Sequence, residues 1–130
     1  MKPIPPSVVP ALGITRLAIG AGLIVGPAGL GKALGLCADD AKRASWLARL
    51  AGAREIAIGL GTLDAWRQGR PVDGWVAAQG ISDASDAIAF ATVAIQGKVS
   101  PLRGWGMSLF ALSGAVSEAL TAAALRREAR

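Results

Sequence analysis

The chain has 130 residues, enough for one domain, and 18% of them are charged, compared with about 25% in soluble domains. Its single cysteine, Cys37, and its lack of histidine exclude an internal disulfide and any catalytic site that combines histidine with serine or cysteine. The net charge of +5 is divided among short stretches between apolar segments, and this pattern does not form the basic run or face that binds nucleic acid.

Four apolar segments, each of about 20 residues, account for most of the sequence. At about 1.5 Å of rise per residue, a helix of this length matches a hydrocarbon core of about 30 Å. The segments cover approximately residues 11–30, 46–66, 75–95 and 102–125. We therefore predict an all-α fold, a four-helix transmembrane bundle with up-down-up-down order, in which residues 1–130 form a single membrane domain. The N-terminus lacks the charged start and the cleavage site of a secretion signal, so we expect the first segment to be retained.

The positions of the tryptophans agree with this division of the chain. Trp46, Trp66, Trp75 and Trp105 all lie at or near a segment end, where amphipathic indole rings collect at a membrane surface. We therefore expect the lipid bilayer to be the main partner and the protein to be a multi-pass protein of a bacterial plasma (inner) membrane. The flanking lysines and arginines are equally numerous on the two sides, and only the early position of Arg16 favours cytoplasmic termini.

Each segment carries a narrow polar stripe on an otherwise apolar helix. Residues three, four or seven positions apart lie on one helical face, and this spacing relates Gln79 to Asp83 and Asp86. We predict an intramembrane polar cluster of Arg54, Glu55, Asp83, Asp86 and Glu118, with Arg16, Gln79 and Thr121 as additional candidates.

Charges near the middle of a membrane cost roughly 2.5–3.5 kcal/mol each on insertion scales, so unpaired charges would oppose insertion. We predict that Arg54 pairs with Asp83 or Asp86, because a short loop makes the second and third segments antiparallel neighbours. The acids outnumber the nearby arginines. We therefore expect at least one of Asp83, Asp86 or Glu118 to be neutral at about pH 7, since a surplus carboxylate in a low dielectric takes up a proton.

Two glycine patterns have a structural and a functional interpretation. Gly22 to Gly26 and Gly31 to Gly35 have GxxxG spacing, which permits close helix packing. This packing is compatible with a homo-oligomer. Residues 26–32 fit GxxxxGK, but a phosphate-binding loop needs Ser or Thr next, and Ala33 stands there. We interpret these residues as a helix end loosened by Gly and Pro, and we expect no cofactor and no metal.

Several of these residues together resemble small bacterial four-helix membrane proteins of unknown function. Residues 20–27 resemble the first helix of that family, and residues 50–59, which contain Arg54 and Glu55, resemble its Gly-x-Arg-Asp/Glu segment. Asp83 and Asp86 match its central Asp-x-x-Asp run. The resemblance covers about residues 12–125 and implies a four-helix membrane domain, without implying a substrate.

Two classes of function fit these features. The first is a bundle that binds a small polar ligand or is coupled to an ion or proton, as an accessory to transport, with the polar cluster at its centre. The second is a structural or scaffolding subunit of a larger membrane complex, in which the polar residues hold the helices together. An enzyme is disfavoured, because the sequence shows no paired nucleophile and base.

Overall fold

The computed structural model describes residues 4–129, and in this range the protein is all-α, as predicted, with six helices and no strand. Four helices are long and two are short. The long helices are α1 (Val8–Val25), α4 (Ser45–Arg67), α5 (Asp73–Ile95) and α6 (Pro101–Glu128), and the short ones are α2 (Ala28–Ala33) and α3 (Ala38–Arg43).

The first helix differs most from its predicted bounds. Helix α1 ends at Val25 rather than near residue 30. Pro27 follows this end closely, and a proline cannot supply the backbone N–H that would continue the helix. The residues after the break form α2, which contains Gly31 and Lys32. The segment before the GxxxxGK pattern is therefore a helix rather than the strand that precedes a phosphate-binding loop.

The predicted loop between the first two segments is partly helical. Helix α3 has Asp39 and Asp40 in its first turn and Lys42 and Arg43 in its last turn. This order places negative charge at the positive end of the helix dipole and positive charge at the negative end, which stabilises a helix of only six residues.

Helices α1 and α4 pack closely and run antiparallel, because Gly13 faces Gly59 and Gly20 faces Gly52. A Cβ atom added to Gly59 would lie 2.9 Å from the carbonyl oxygen of Gly13. The buried positions of α1 are spaced four, three and four residues apart, which is the spacing of helices packed with a small crossing angle. These positions are Val9, Gly13, Arg16 and Gly20.

Helices α5 and α6 form a second close, antiparallel pair. The hydroxyl of Ser108 donates to the carbonyl oxygen of Ala87 at 2.8 Å, and a Cβ atom on Gly80 would lie 3.2 Å from the carbonyl oxygen of Ala115. The buried residues of α6 are mostly small: Gly104, Ser108, Ala111, Ala115, Glu118, Ala122 and Ala124. Small residues thus let both helix pairs approach through their backbones.

The two turns that connect α4, α5 and α6 have the same geometry. Gly69 and Gly97 adopt φ values of 64° and 65°, the left-handed conformation that glycine takes without strain. In each turn the residue after the glycine donates its backbone N–H to the carbonyl oxygen five residues earlier, from Arg70 to Ala65 at 2.9 Å and from Lys98 to Val93 at 3.0 Å. These turns make the consecutive helices antiparallel neighbours.

The two ends of the protein are built differently. At one end the start of the described chain meets the end of α6, because the backbone N–H of Ile4 donates to Glu128 Oε1 at 3.0 Å. At the other end, Leu34, Ala94 and Val99 form a small apolar core. The backbone N–H of Ser100 donates to the carbonyl oxygen of Leu34 there, at 3.0 Å, and so ties the α5–α6 turn to the segment after α2.

Large apolar side chains lie on the surface of the protein, and polar side chains are among the most deeply buried. Leu102, Ile81 and Phe110 are 85%, 72% and 71% exposed, whereas the largest side chains that are fully buried are Gln79, Val76 and Thr62. Helices α1 and α6 are long and apolar enough to cross a membrane by length and composition, and they are the two described helices that meet this criterion.

Candidate functional site

The buried centre of the protein is built around Arg16 of α1. Its Nη1 donates to Glu55 Oε2 at 2.7 Å and to Asp83 Oδ1 at 2.6 Å, and its Nη2 donates to Glu118 Oε1 at 2.6 Å. Its Nε donates to Gln79 Oε1 at 3.3 Å. Since α4, α5 and α6 each contribute a carboxylate, the guanidinium of this one residue connects all four long helices.

Local packing explains why Arg16 and Glu55 meet. Each of them is flanked, three or four residues away on both sides, by the glycines of the α1–α4 contact. Those glycines bring the two backbones close together, so both side chains lie on the inner face of the pair. Arg16 is 6% exposed and Glu55 is 2% exposed, which makes this a buried ion pair.

Glu55 is the carboxylate with the most hydrogen-bond donors. Arg16 contacts its Oε2, and its Oε1 accepts from Arg54 Nη2 at 3.1 Å, from Arg54 Nε at 3.3 Å and from the hydroxyl of Ser82 at 3.1 Å. Glu55 therefore links Arg16 and Arg54 through its two oxygens.

Arg54 and Asp86 form a second ion pair at the edge of the cluster. Arg54 Nη2 lies 2.7 Å from Asp86 Oδ2, and about a third of each side chain is exposed. Of the two partners that the sequence predicts for Arg54, the structure shows Asp86, while Asp83 contacts Arg16 instead. Arg54 lies at the edge because it is one residue, or about 100°, away from the buried face of α4.

Gln79 continues the network between the helix pairs. It is fully buried, and its Nε2 donates to the hydroxyl of Thr62 on α4 at 2.9 Å. Thr62 in turn donates to the carbonyl oxygen of Ile58 at 2.8 Å. Thr121, predicted as an additional candidate, does not join these contacts, because its hydroxyl donates to the backbone of Ser117 in its own helix.

Ser82 and Thr62 belong to the network but are not among the predicted site residues. Their positions contain the signal that would have identified them, because Thr62 lies seven residues after Glu55 and Ser82 three residues after Gln79. Both spacings place the hydroxyl on the same helical face as the predicted residue. Hydroxyl residues are also common on buried helix faces without a role, so the spacing alone does not single them out.

Glu118 is the carboxylate whose hydrogen bonding is incomplete. Its Oε1 accepts the bond from Arg16, but its Oε2 is buried without a partner within the described residues. The residue is 5% exposed. An ionised oxygen left in this position would lack both water and a donor, which is unfavourable in a buried site.

The cluster contains more acids than bases. Two guanidiniums, those of Arg16 and Arg54, face four carboxylates. Each of these carboxylates contacts a guanidinium through at least one oxygen. Within residues 4–129 no group of three or more acidic or cysteine side chains is placed to hold a metal ion.

The structure brings the following predicted residues together in one cluster: Arg16, Arg54, Glu55, Gln79, Asp83, Asp86 and Glu118. Comparisons with protein-family models, with curated proteins and with solved structures find no match for this chain.

Proposed function

We propose that the protein is a multi-pass integral membrane protein of a bacterial inner membrane, in which all four long helices cross the bilayer. The proposal is supported by the outward-facing apolar side chains and the buried ionisable cluster, because a bilayer solvates the first and excludes water from the second. Ile4 and Glu128 lie at the same end of the protein, as an even number of crossings requires. The sequence resemblance supports the same assignment.

The membrane assignment has a direct test. The purified protein is expected to need detergent or lipid for solubility, and alkaline carbonate should fail to release it from membranes. A chain that remains monodisperse in plain buffer would overturn the assignment. A reporter fused to the C-terminus then gives the orientation, for which we propose cytoplasmic termini.

We further propose that the central cluster binds a proton, as the coupling site of an ion- or proton-coupled accessory bundle. The observation that carries this proposal is the surplus of carboxylates around Arg16 and Arg54. Ionised acids in excess of their cations are unstable in a low dielectric, and uptake of a proton removes one negative charge without further contacts.

The experiment measures proton linkage in detergent or nanodiscs. If the folded state binds a proton that the unfolded chain does not bind, the folded state becomes more stable as the pH falls. The melting temperature should therefore fall as the pH rises from about 5 to about 8, above the range in which unfolded carboxyls titrate. Asp83→Asn and Asp86→Asn each remove one surplus charge, so both variants should fold normally and show a flatter pH dependence.

Asp64→Asn is the matched control. Asp64 also lies on a long helix and contacts an arginine, Arg70, but both side chains are more than half exposed. This variant should keep the pH dependence of the unsubstituted protein. A slope that is unchanged in Asp83→Asn and Asp86→Asn would contradict a proton-binding centre.

The alternative is a structural or scaffolding subunit of a larger membrane complex. It is favoured by the way in which Arg16, Glu55 and Gln79 connect the α1–α4 pair to the α5–α6 pair. In that case Asp83→Asn and Asp86→Asn should lower the melting temperature at every pH and leave its slope unchanged. The same titration therefore separates the two functions.

A further inference from the structure

The four carboxylates of the cluster differ in how well their oxygens are satisfied. Both oxygens of Glu55 accept hydrogen bonds, from Arg16, Arg54 and Ser82. Glu118 is almost as deeply buried, yet among the residues that the structure describes only its Oε1 has a donor, and its Oε2 has none. The two glutamates share one guanidinium but lie in opposite hydrogen-bonding environments.

We propose that the surplus proton of the cluster is bound to Glu118 at Oε2, so that this residue is the neutral carboxylic acid of the site. The inference rests on the proton-binding function proposed above and names the residue that performs it. A neutral carboxyl group loses far less hydration on burial than a carboxylate does. Its Oε1 remains available to accept the hydrogen bond from Arg16.

The charged groups that face Glu118 come from each of the other long helices: Arg16 of α1, Glu55 of α4 and Asp83 of α5. Arg16 is already paired with Glu55 and Asp83, both at 2.7 Å or less. A third ionised carboxylate gains little from this guanidinium, because the other two carboxylates already neutralise its positive charge. The third carboxylate would also be repelled by the other two.

Exposure distinguishes Glu118 from the two aspartates. The side chain of Glu118 is 6% exposed, compared with 17% for Asp83 and 33% for Asp86. Asp86 also has Arg54 as its own partner. The proton is therefore expected on Glu118, which combines deep burial with an oxygen that no donor reaches within the described residues.

The test is infrared spectroscopy of the full chain in nanodiscs at neutral pH. A protonated carboxyl group gives a carbonyl stretch that is separate from the bands of carboxylates. We expect one such band, which shifts when all glutamates are labelled with ¹³C at the side-chain carboxyl and stays when only the aspartates are labelled. The glutamates of the chain are Glu55, Glu118 and Glu128, so labelling assigns the residue type without any substitution.

Substitutions then identify the residue. The band should disappear in Glu118→Gln and remain in Glu128→Gln, an exposed control at the end of α6. Glu118→Gln replaces one neutral group by another, so its melting temperature should change much less than that of Glu55→Gln, which removes an anion from two guanidiniums.

The outcomes separate this inference from the proposed function. A band that shifts with labelled aspartate, or that survives Glu118→Gln, would place the proton elsewhere and leave the proton-binding centre standing. The absence of any protonated carboxyl band at neutral pH overturns the assignment to Glu118. The proton-binding centre itself fails only if the melting temperature also shows no proton linkage.

Discussion

Gly20 of α1 and Gly52 of α4 face each other so closely that neither position has room for a side chain. A Cβ atom on Gly20 would lie 2.6 Å from the carbonyl oxygen of Gly52, and one on Gly52 would lie 2.8 Å from the carbonyl oxygen of Gly20. The obstacle is backbone in both cases, so no side-chain rotation relieves it. This contact sets the distance across which Arg16 reaches Glu55.

Gly20→Ala and Gly52→Ala should each destabilise the protein, because the added methyl group forces the two helices apart. Overpacking of this kind costs about 1–3 kcal/mol, and the lower melting temperature would be measured by circular dichroism in detergent. Gly22→Ala is the control, since Gly22 lies on the same helix with open space at its Cβ position. Equal losses in Gly22→Ala and Gly20→Ala would contradict the close contact.

Arg16→Gln should be the most destabilising single substitution in the protein. It removes the partner of three buried or partly buried carboxylates, and loss of one member of a buried ion pair costs about 3–5 kcal/mol. Arg49→Gln, at an exposed position on α4, should have little effect on the melting temperature. The double variant Arg16→Gln with Asp83→Asn should recover part of the loss, because it also removes an anion left without a partner. No recovery would indicate that Arg16 acts through packing alone.

The sequence predicts which residues lie on the buried faces, because the period of the α-helix relates Gln79, Asp83 and Asp86 before any contact is known. It also predicts that acids outnumber bases. Apolar segment length predicts the four long helices, and Gly26 and Pro27 indicate a loosened helix end, although the two short helices are absent from the prediction. Hydropathy averages over about 20 residues, and a six-residue helix falls below its resolution.

The pairing of the charges is not predictable from the same pattern. The sequence predicts Arg54, next to Glu55, as a cation of the cluster and Arg16 as an additional candidate, yet Arg16 holds the central position. The register of α1 against α4, fixed by glycine contacts between residues far apart in the chain, decides which guanidinium is central. Periodicity describes one helix at a time and carries no information on such a register.

Gly61→Ala should displace Trp75 and weaken the contact between α4 and α5. A Cβ atom on Gly61 would clash with the six-membered ring of the Trp75 indole. We expect a lower melting temperature and a change in tryptophan fluorescence. Gly106→Ala, on α6 with open space at its Cβ position, should change neither property. An unaltered fluorescence spectrum in Gly61→Ala would show that Trp75 does not rest on α4.

The contact between Arg126 and Asp73 should stabilise the folded protein at neutral pH, and this stabilisation should disappear in acid. The guanidinium of Arg126 donates to Asp73 Oδ2 at 2.7 Å, and this hydrogen bond lowers the pKa of Asp73 below its ordinary value of 3.8, against a smaller opposing effect of desolvation. A lowered pKa means that the folded state favours the carboxylate. The stabilisation is therefore present at neutral pH and is lost as the pH falls through the folded-state pKa.

The measurement compares the melting temperatures of the unsubstituted protein and Arg126→Gln at neutral pH and at about pH 3. The difference should be small at neutral pH, because both side chains are partly exposed and solvent screens the pair, and it should shrink further in acid. Arg127→Gln, also exposed and at the adjacent position, should show no such change with pH. A difference of equal size at both pH values would mean that Arg126 stabilises α6 without its contact to Asp73.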